Sequence, residues 1–218
     1  MALAIFDLDN TLLGGDSDHA WGEFLVRKGV VDADAYGAAN DRFFQAYQDG
    51  SLDIRTYLQF ALEPLTRFSL DGLKQLHDEF MRTAIAPLRL PKADALLAQH
   101  RARGDVLLII TATNAFITRP IAQALGVDTI LATEPEIRAD RYTGSFSGTP
   151  CFREGKVVCL REWLQHHPHD LAAAYFYSDS QNDLPLLNMV GKPVAVDPDA
   201  TLRAHAEQRG WPIISLRD

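Results

Sequence analysis

Cysteine is scarce. The 218 residues hold two, Cys151 and Cys159, which supply no disulfide framework and no metal-ligand spacing, so both read as ordinary core or loop thiols. Long hydrophobic runs are missing too: the apolar stretch over residues 1–6 is long enough for one buried strand and too short for a membrane span. Asp7 interrupts that stretch and no basic segment leads it, so no export signal is expected and a cytoplasmic address is. Excess positive charge is absent. With 21 Lys and Arg against 29 Asp and Glu, the formal charge is −8 and the bases are scattered, which excludes a nucleic-acid surface built on phosphate contacts. No repeat or low-complexity tract interrupts the chain, and no feature identifies a protein partner. What is present is an apolar content of 47%, suited to a soluble globular protein long enough for one large domain or for a core with an insert.

The stretch Ile5-Phe6-Asp7-Leu8-Asp9-Asn10-Thr11-Leu12 is the natural starting point, because an apolar strand ends there on two carboxylates separated by one leucine. Ligands of open parallel sheets bind beyond the carboxyl ends of the strands, which is where Asp7 falls. Two acids so close repel unless a cation or a proton is shared, so the pair points to a bound metal, a raised pKa on one member, or both. The alternative is a turn with solvated acids.

Gly14-Gly15 breaks the backbone after the acids, and Asp16 or Ser17 can cap a helix that carries Trp21, Phe24 and Leu25 and ends near Lys28-Gly29. Helical spacing continues through Phe43, Phe44 and Tyr47 to Asp49-Gly50, then through Ile54, Tyr57, Leu58, Ala61 and Leu62, then through Leu70, Leu73, Leu76 and Phe80. No strand-like run intervenes, so residues 14–87 read as an all-helical insert whose apolar stripes are its own core. Pro87 and Pro91 punctuate its exit.

Alternating elements follow: a helix over residues 92–103 ended by Gly104, an apolar strand over 106–110, and a helix over 115–125 with Pro120 inside it. A short strand over 129–132, a hairpin within 134–152, a helix over 156–165, a strand over 173–177 and a strand over 193–196 complete the pattern. The predicted fold is α/β, a doubly wound and mostly parallel sheet with right-handed crossovers, its core at residues 1–13 and 88–218 and a helical cap at 14–87.

The polar strand ends converge on one sheet edge: Asp7 and Asp9, then Thr111, then Lys156 at a helix start, then Asp179 and Asp183. Taken singly, a threonine after a strand is a helix cap and a lysine at a helix start is solvated. Together they suit phosphoryl transfer to a carboxylate, which splits hydrolysis into two easier steps through an acyl phosphate. That chemistry needs charge neutralisation: Mg²⁺ on Asp7, Asp179 and a carbonyl near Asp9, with Lys156 and Thr111 on the phosphoryl oxygens. Asp9 could then protonate the leaving oxygen and deprotonate water.

The motifs Asp7-Leu-Asp9-Asn-Thr11, Thr111, Lys156 and Ser178-Asp179-Ser-Gln-Asn182-Asp183 resemble, in order and spacing, the four motifs of the haloacid dehalogenase (HAD) superfamily. The resemblance implies an Asp7 nucleophile and an Asp9 acid/base. It also implies Mg²⁺ on Asp7, the Asp9 carbonyl and Asp179, with Asp183 orienting metal-bound water, and phosphate held by Thr111 and Lys156, with Asn182 of the last motif assigned to phosphate as well. Dehalogenases of the superfamily usually lack the second acid, so Asp9 argues for phosphate chemistry. A helical cap between the first two motifs resembles the subgroup containing phosphoserine phosphatase. There an acid nine positions after the nucleophile, matched here by Asp16, recognises the substrate amino group. The arginine those enzymes use for the substrate carboxylate has no counterpart: the position that resembles it is Phe60. A carboxylate left unpaired there would cost several kcal/mol, on the order of 3–5. The expected substrate is therefore a small phosphate monoester with an amine and no carboxylate, such as histidinol phosphate, with Asp16 on the amine and Phe60 packing the organic part. The alternatives are that Asp16 only caps a helix and Phe60 is core, and that the chain acts on phosphoserine or another metabolite, as phosphatase or phosphotransferase.

Two readings from other classes fare worse. Receiver domains of signalling proteins gather a similar set of residues as a switch, but they are shorter and uncapped, and their phospho-accepting Asp lies on a later strand. An inactive phosphate-binding module would be expected to have lost a motif position, and none is lost. The cluster His166, His167 and His169 could in principle bind a metal, yet Pro168 among them and their place after a helix favour a solvated loop.

Overall fold

The computed structural model describes residues 2–217. Strands β1 (Leu3–Phe6), β2 (Val106–Ile110), β3 (Thr129–Leu131), β6 (Tyr175–Ser178), β7 (Lys192–Val196) and β8 (Ile213–Ile214) form one sheet in the order β3-β2-β1-β6-β7-β8. Every neighbouring pair is parallel. β1 is central, and its alternating side chains feed two cores: Ala4 and Phe6 on one face, Leu3 and Ile5 on the other. In β2 the same alternation divides Ile109 from Leu108 and Ile110. A strand buried on both faces reads as a continuous apolar run, which is why these strands were legible. Met1 of the expected first strand lies outside the described residues.

Helices α5 (Pro91–Ala102), α6 (Ala115–Ala124), α7 (Glu154–Leu164), α8 (Leu184–Leu187) and α9 (Ala200–Arg209) alternate with the strands, and β4 (Glu134–Arg138) pairs antiparallel with β5 (Arg141–Ser147) as a separate hairpin. The turn residues Ala139 and Asp140 have φ of 48° and 57°, as a two-residue hairpin turn of the right twist requires. Pro120 sits within a continuous α6. The expected fourth strand begins two residues late, because Ala173 and Ala174 donate their N–H groups to Asp170 and Leu171 in a turn. Three elements were not anticipated: α8, four residues long, α9 and β8. Helix α9 buries only Leu202 and Ala206, too few to make a stripe, and β8 is two residues long.

Between β1 and α5 lie four α-helices, α1 (Ser17–Arg27), α2 (Ala33–Asp49), α3 (Ile54–Leu62) and α4 (Leu70–Phe80), with short 3₁₀ and π turns after α3 and α4. Asp16, Asp32, Asp53 and Ser69 cap them, each side chain accepting main-chain N–H groups of the first turn. Trp21, Phe24 and Phe80 are fully buried around one another, and Trp21 and His77 also meet Phe116 of α6. Each such ring contributes about 1.5–3 kcal/mol by leaving water, so this knot is one attachment of the insert to the core; a second is the packing of β5 against α3 and residues 63–67. The two linking segments cross at a Leu13–Arg89 bridge and a Gly14 N–H to Leu88 O bond of 2.7 Å. A Cβ would lie 3.1 Å from Leu90 at Gly14 and 3.0 Å from Leu88 at Gly15, so glycine permits this close crossing. Among the described residues, no helix is long and apolar enough to cross a membrane.

Candidate active site

The carboxyl ends of β1, β2 and β6 meet the start of α7, and four polar groups become neighbours there. Lys156, 1% exposed, places Nζ 2.9 Å from Asp7 Oδ1 and 2.8 Å from Asp183 Oδ1. Ser178 Oγ donates to Asp183 Oδ2 at 2.7 Å. Burial alone would favour the neutral amine of Lys156, but Asp183 and Asp7 outweigh it and hold the ammonium well above its ordinary pKa. Burial pushes the Asp7 carboxyl up to about 7 against the pull of Lys156, with Asp183 adding to the rise. Lys156 is the third residue of α7 and does not open it; Arg153 is the residue before the first turn.

The turn after β1 is shaped by Asn10, whose φ of 57° is one that Asn tolerates better than most residues. It returns Thr11 to β6, where Thr11 Oγ1 donates to Asp179 Oδ1 at 2.9 Å and accepts from Asp179 N at 3.1 Å. Burial and the Asp7 charge raise the Asp179 carboxyl well above its usual range. Asp9 is held from two sides: Ser17 N donates to Oδ1 at 2.7 Å and Thr113 Oγ1 to Oδ2 at 2.8 Å. Burial, then the Asp16 charge, lift it to about 7, where a carboxyl can both give and take a proton near neutrality. Thr111, 1% exposed, accepts from Thr113 N at 3.2 Å in the turn before α6, which Asn114 caps.

A pocket opens over this edge. Asp7, Asp9 and residues 111–113 form its floor, and Asp16, Asp18, Phe43, Tyr47 and Tyr57 of the insert are among its walls. Asp16 has two roles at once: it lines the pocket, and its Oδ1 accepts from Asp18 N at 2.9 Å and His19 N at 2.8 Å as the cap of α1. Burial, then the Asp18 charge, raise it to about 6. Phe60 stands one layer behind the pocket, stacked on Tyr36 at 4.4 Å and against Phe43 at 5.0 Å. Asn182 faces the insert, its Nδ2 donating to Tyr47 O at 3.0 Å and its Oδ1 accepting from Arg153 Nε at 3.0 Å. The structure thus brings Asp7, Asp9, Asp16 and Thr111 to one pocket with Lys156, Asp179 and Asp183 around Asp7, and it leaves Phe60 and Asn182 outside the lining.

Sequence reasoning overlooked Asp18 and Tyr57. Burial lifts Asp18 to about 7 against the pull of the nearby Tyr57 hydroxyl. An acid in the first turn of a helix ordinarily complements the helix dipole, so Asp18 gave no distinguishing signal. Tyr57 looked like one more member of an apolar stripe. The histidines 166, 167 and 169 stay at the end of α7, where the rings of His167 and His169 stack on Trp163 at 4.5 Å and 5.7 Å.

Residues 4–188 match the haloacid dehalogenase-like hydrolase family. The chain belongs to this family. Over 219 residues it is 46% identical to a histidinol-phosphatase of Neisseria meningitidis, covering 99% of each chain. It is 32% identical to a phosphoserine phosphatase of Mycobacterium tuberculosis, covering 99% of this chain and 71% of that one. A crystal structure of a Bordetella pertussis protein of unknown function superposes with a TM-score of 0.92 at 44% identity, covering 99% of this chain and 98% of the other. A substrate-bound phosphoserine phosphatase superposes at 0.72 with 15% identity over 99% and 93% of the two chains, a likeness of fold alone. Within the family, this chain is a phosphoric monoester hydrolase.

Proposed function

We propose that this family member is a Mg²⁺-dependent phosphatase that cleaves histidinol phosphate through a phosphorylated Asp7. The observation that carries the mechanism is the buried contact of Lys156 with Asp7 and Asp183 beside a doubly held Asp9. Asp7 attacks phosphorus, and Asp9 protonates the departing alkoxide so that the alcohol leaves. Asp9 then takes a proton from water, which attacks the acyl phosphate, releases inorganic phosphate and restores the Asp7 carboxylate. Lys156 and the Thr111 hydroxyl hold phosphoryl oxygens, and the helical insert, taken as a cap over residues 14–87, excludes water while the group transfers.

The donor set suits Mg²⁺. Asp7, Asp179 and Asp183 bring three negative charges against the single positive charge of Lys156, leaving an excess that a dication would balance. Asp183 Oδ1 is buried and makes no hydrogen bond beyond its ion pair with Lys156 Nζ at 2.8 Å. All the candidate donors are oxygens, as Mg²⁺ prefers. Among the described residues no three His, Cys, Asp or Glu side chains converge at metal-ligand spacing, so the Asp9 carbonyl would complete the set with Asp7 and Asp179 while Asp183 orders water. Bound there, Mg²⁺ would supply the charge that offsets the phosphoryl oxygens.

The substrate choice rests on the pocket. Its lining contains Asp16, Asp18 and His19 and no Lys or Arg, so an amine finds carboxylates and a substrate carboxylate finds no cation. The histidinol-phosphatase name of the relative at 46% identity points the same way. Work on such a metabolite would be done in the cytoplasm, with no nucleic acid or membrane involved. The test compares kcat/KM for histidinol phosphate and phosphoserine in the native enzyme and in Asp16→Asn, which keeps a capping oxygen and loses the charge. The expected result is preference for histidinol phosphate, weakened by the substitution; preference for phosphoserine overturns the assignment.

A further inference from the structure

We infer that the C-terminal end of α2 is a latch, gripped by Arg153, Gln181 and Asn182, that holds Tyr47 over the nucleophile and makes Arg153 a positioning residue. Its catalytic meaning rests on the hydrolysis proposed above; the latch itself is a matter of contacts. The last carbonyls of a helix lack intrahelical partners and carry the negative end of its dipole. In α2 and its capping residue Gly50 the carbonyls meet three donors from the core. Asn182 Nδ2 donates to Tyr47 O at 3.0 Å, Gln181 Nε2 to Gln48 O at 3.1 Å, and Arg153 Nη2 to Gly50 O.

The gripping residues are those that carry the chemistry, or lie next to them. Gln181 and Asn182 fall between Asp179 and Asp183, and Arg153 stands three residues before Lys156. Arg153 adopts φ 51° and ψ −120°, a conformation few side-chain-bearing residues hold unless their surroundings require it. Its guanidinium is fixed by Asn182 Oδ1 at 3.0 Å and lies 5.0 Å from the centre of the Phe152 ring, which also meets Tyr47 at 6.0 Å. Gly50 completes the fit: φ is 77°, and a Cβ there would come within 2.9 Å of Arg153 Nη2. Tyr47 lines the pocket and faces the charges of Asp7, Asp183 and Asp179. On its other side the insert is anchored by the buried knot of Trp21, Phe24, Phe80 and Phe116, with His77 Nε2 to Ile117 O at 3.0 Å. Water can replace the polar grip far more readily than it can enter the knot, so the end of α2 is where the insert loosens from the core most readily.

Hydrogen–deuterium exchange of the native protein, Arg153→Ala, Arg153→Lys and Gln181→Ala, without substrate, tests the latch; steady-state kinetics on the same proteins tests the positioning role. Arg153→Ala should raise exchange across residues 46–52 by about tenfold, the scale of one charge-assisted hydrogen bond, and leave β1 and β2 unchanged. Gln181→Ala should do the same to a smaller extent. KM should rise more than kcat falls, with Arg153→Lys recovering part of the loss. Unchanged exchange over residues 46–52, or a rise shared equally by β1 and β2, overturns the latch. Raised exchange with unchanged KM overturns the positioning role. Raised exchange in a protein whose native form hydrolyses no phosphate monoester leaves the latch standing and removes the phosphatase reading.

Discussion

Carboxylates gather in two regions of this molecule, at the strand ends and on the pocket wall, and the fold treats them differently. At the strand ends Asp7 and Asp183 share the Lys156 ammonium at 2.9 and 2.8 Å, and Asp9 is held by two donors. On the wall, Asp16 has only main-chain N–H groups and Asp18 lies near the Tyr57 hydroxyl, while the neighbouring His19 is turned to Asp41 at 2.9 Å. The first region offsets part of its charge from within, through Lys156. The second has no Lys or Arg among the pocket's lining residues, which under the proposed function suits it to receive a cation.

The sharpest way to break this comparison is Asp7→Asn, which should leave a folded protein with kcat/KM lowered by about 10³-fold or more, because an amide does not attack phosphorus. Substantial turnover in the pure variant would remove Asp7 from its role. Nearly as large, chelation with EDTA should abolish phosphate release and Mg²⁺ should restore it without zinc. Activity indifferent to EDTA would contradict an oxygen-ligated metal. Lys156→Ala reads the same region through stability: it strands buried carboxylates and should cost about 3–5 kcal/mol in denaturant unfolding. A loss below about 1 kcal/mol, the scale of an exposed pair, would mean that Lys156 is not the internal neutraliser.

Asp18→Asn should do the reverse, changing stability little and lowering kcat/KM for an amine-bearing ester by about tenfold while sparing p-nitrophenyl phosphate. Equal losses on both esters would make Asp18 structural. The smallest effect is on pH dependence. Burial raises Asp18 from 3.8 to about 7, so between those values the folded state binds more protons than the unfolded state and stability falls as pH rises. In ligand-free protein, Asp18→Asn should flatten the decline in melting temperature across that window. An unchanged slope would show that Asp18 ionises as it does in the unfolded chain.

Legibility in the sequence followed how much of an element's environment its own pattern encodes. Strands β1 and β2 are buried on both faces, so their apolar runs announced them, and the polar residues at their ends marked the sheet edge. The helices of the insert showed their apolar stripes, and α1 its cap, whereas the caps Asp32, Asp53 and Ser69 were found only in the structure. Helix α9, with two buried residues, and β8, two residues long, carried no such pattern. Asp16 could be singled out because it resembles the acid nine positions after the nucleophile in phosphoserine phosphatases, but its neighbour Asp18 is an ordinary first-turn acid until Tyr57 of α3 is brought near it.

By itself the sequence determined the α/β class, the all-helical insert and the residues delivered to the sheet edge, because periodicity and strand ends are local properties of the chain. Tertiary structure alone decided which partners those residues meet. Phe60 was expected beside substrate and is stacked behind the pocket on Tyr36 and Phe43, and Asn182 was expected on phosphate and instead joins Tyr47 to Arg153. Lys156 stands 149 residues from Asp7 in sequence and 2.9 Å from it in space. Spacing along the chain carries no information about such contacts. They arise when helices and strands pack, and the direction a side chain then faces depends on the neighbours that fill the remaining space.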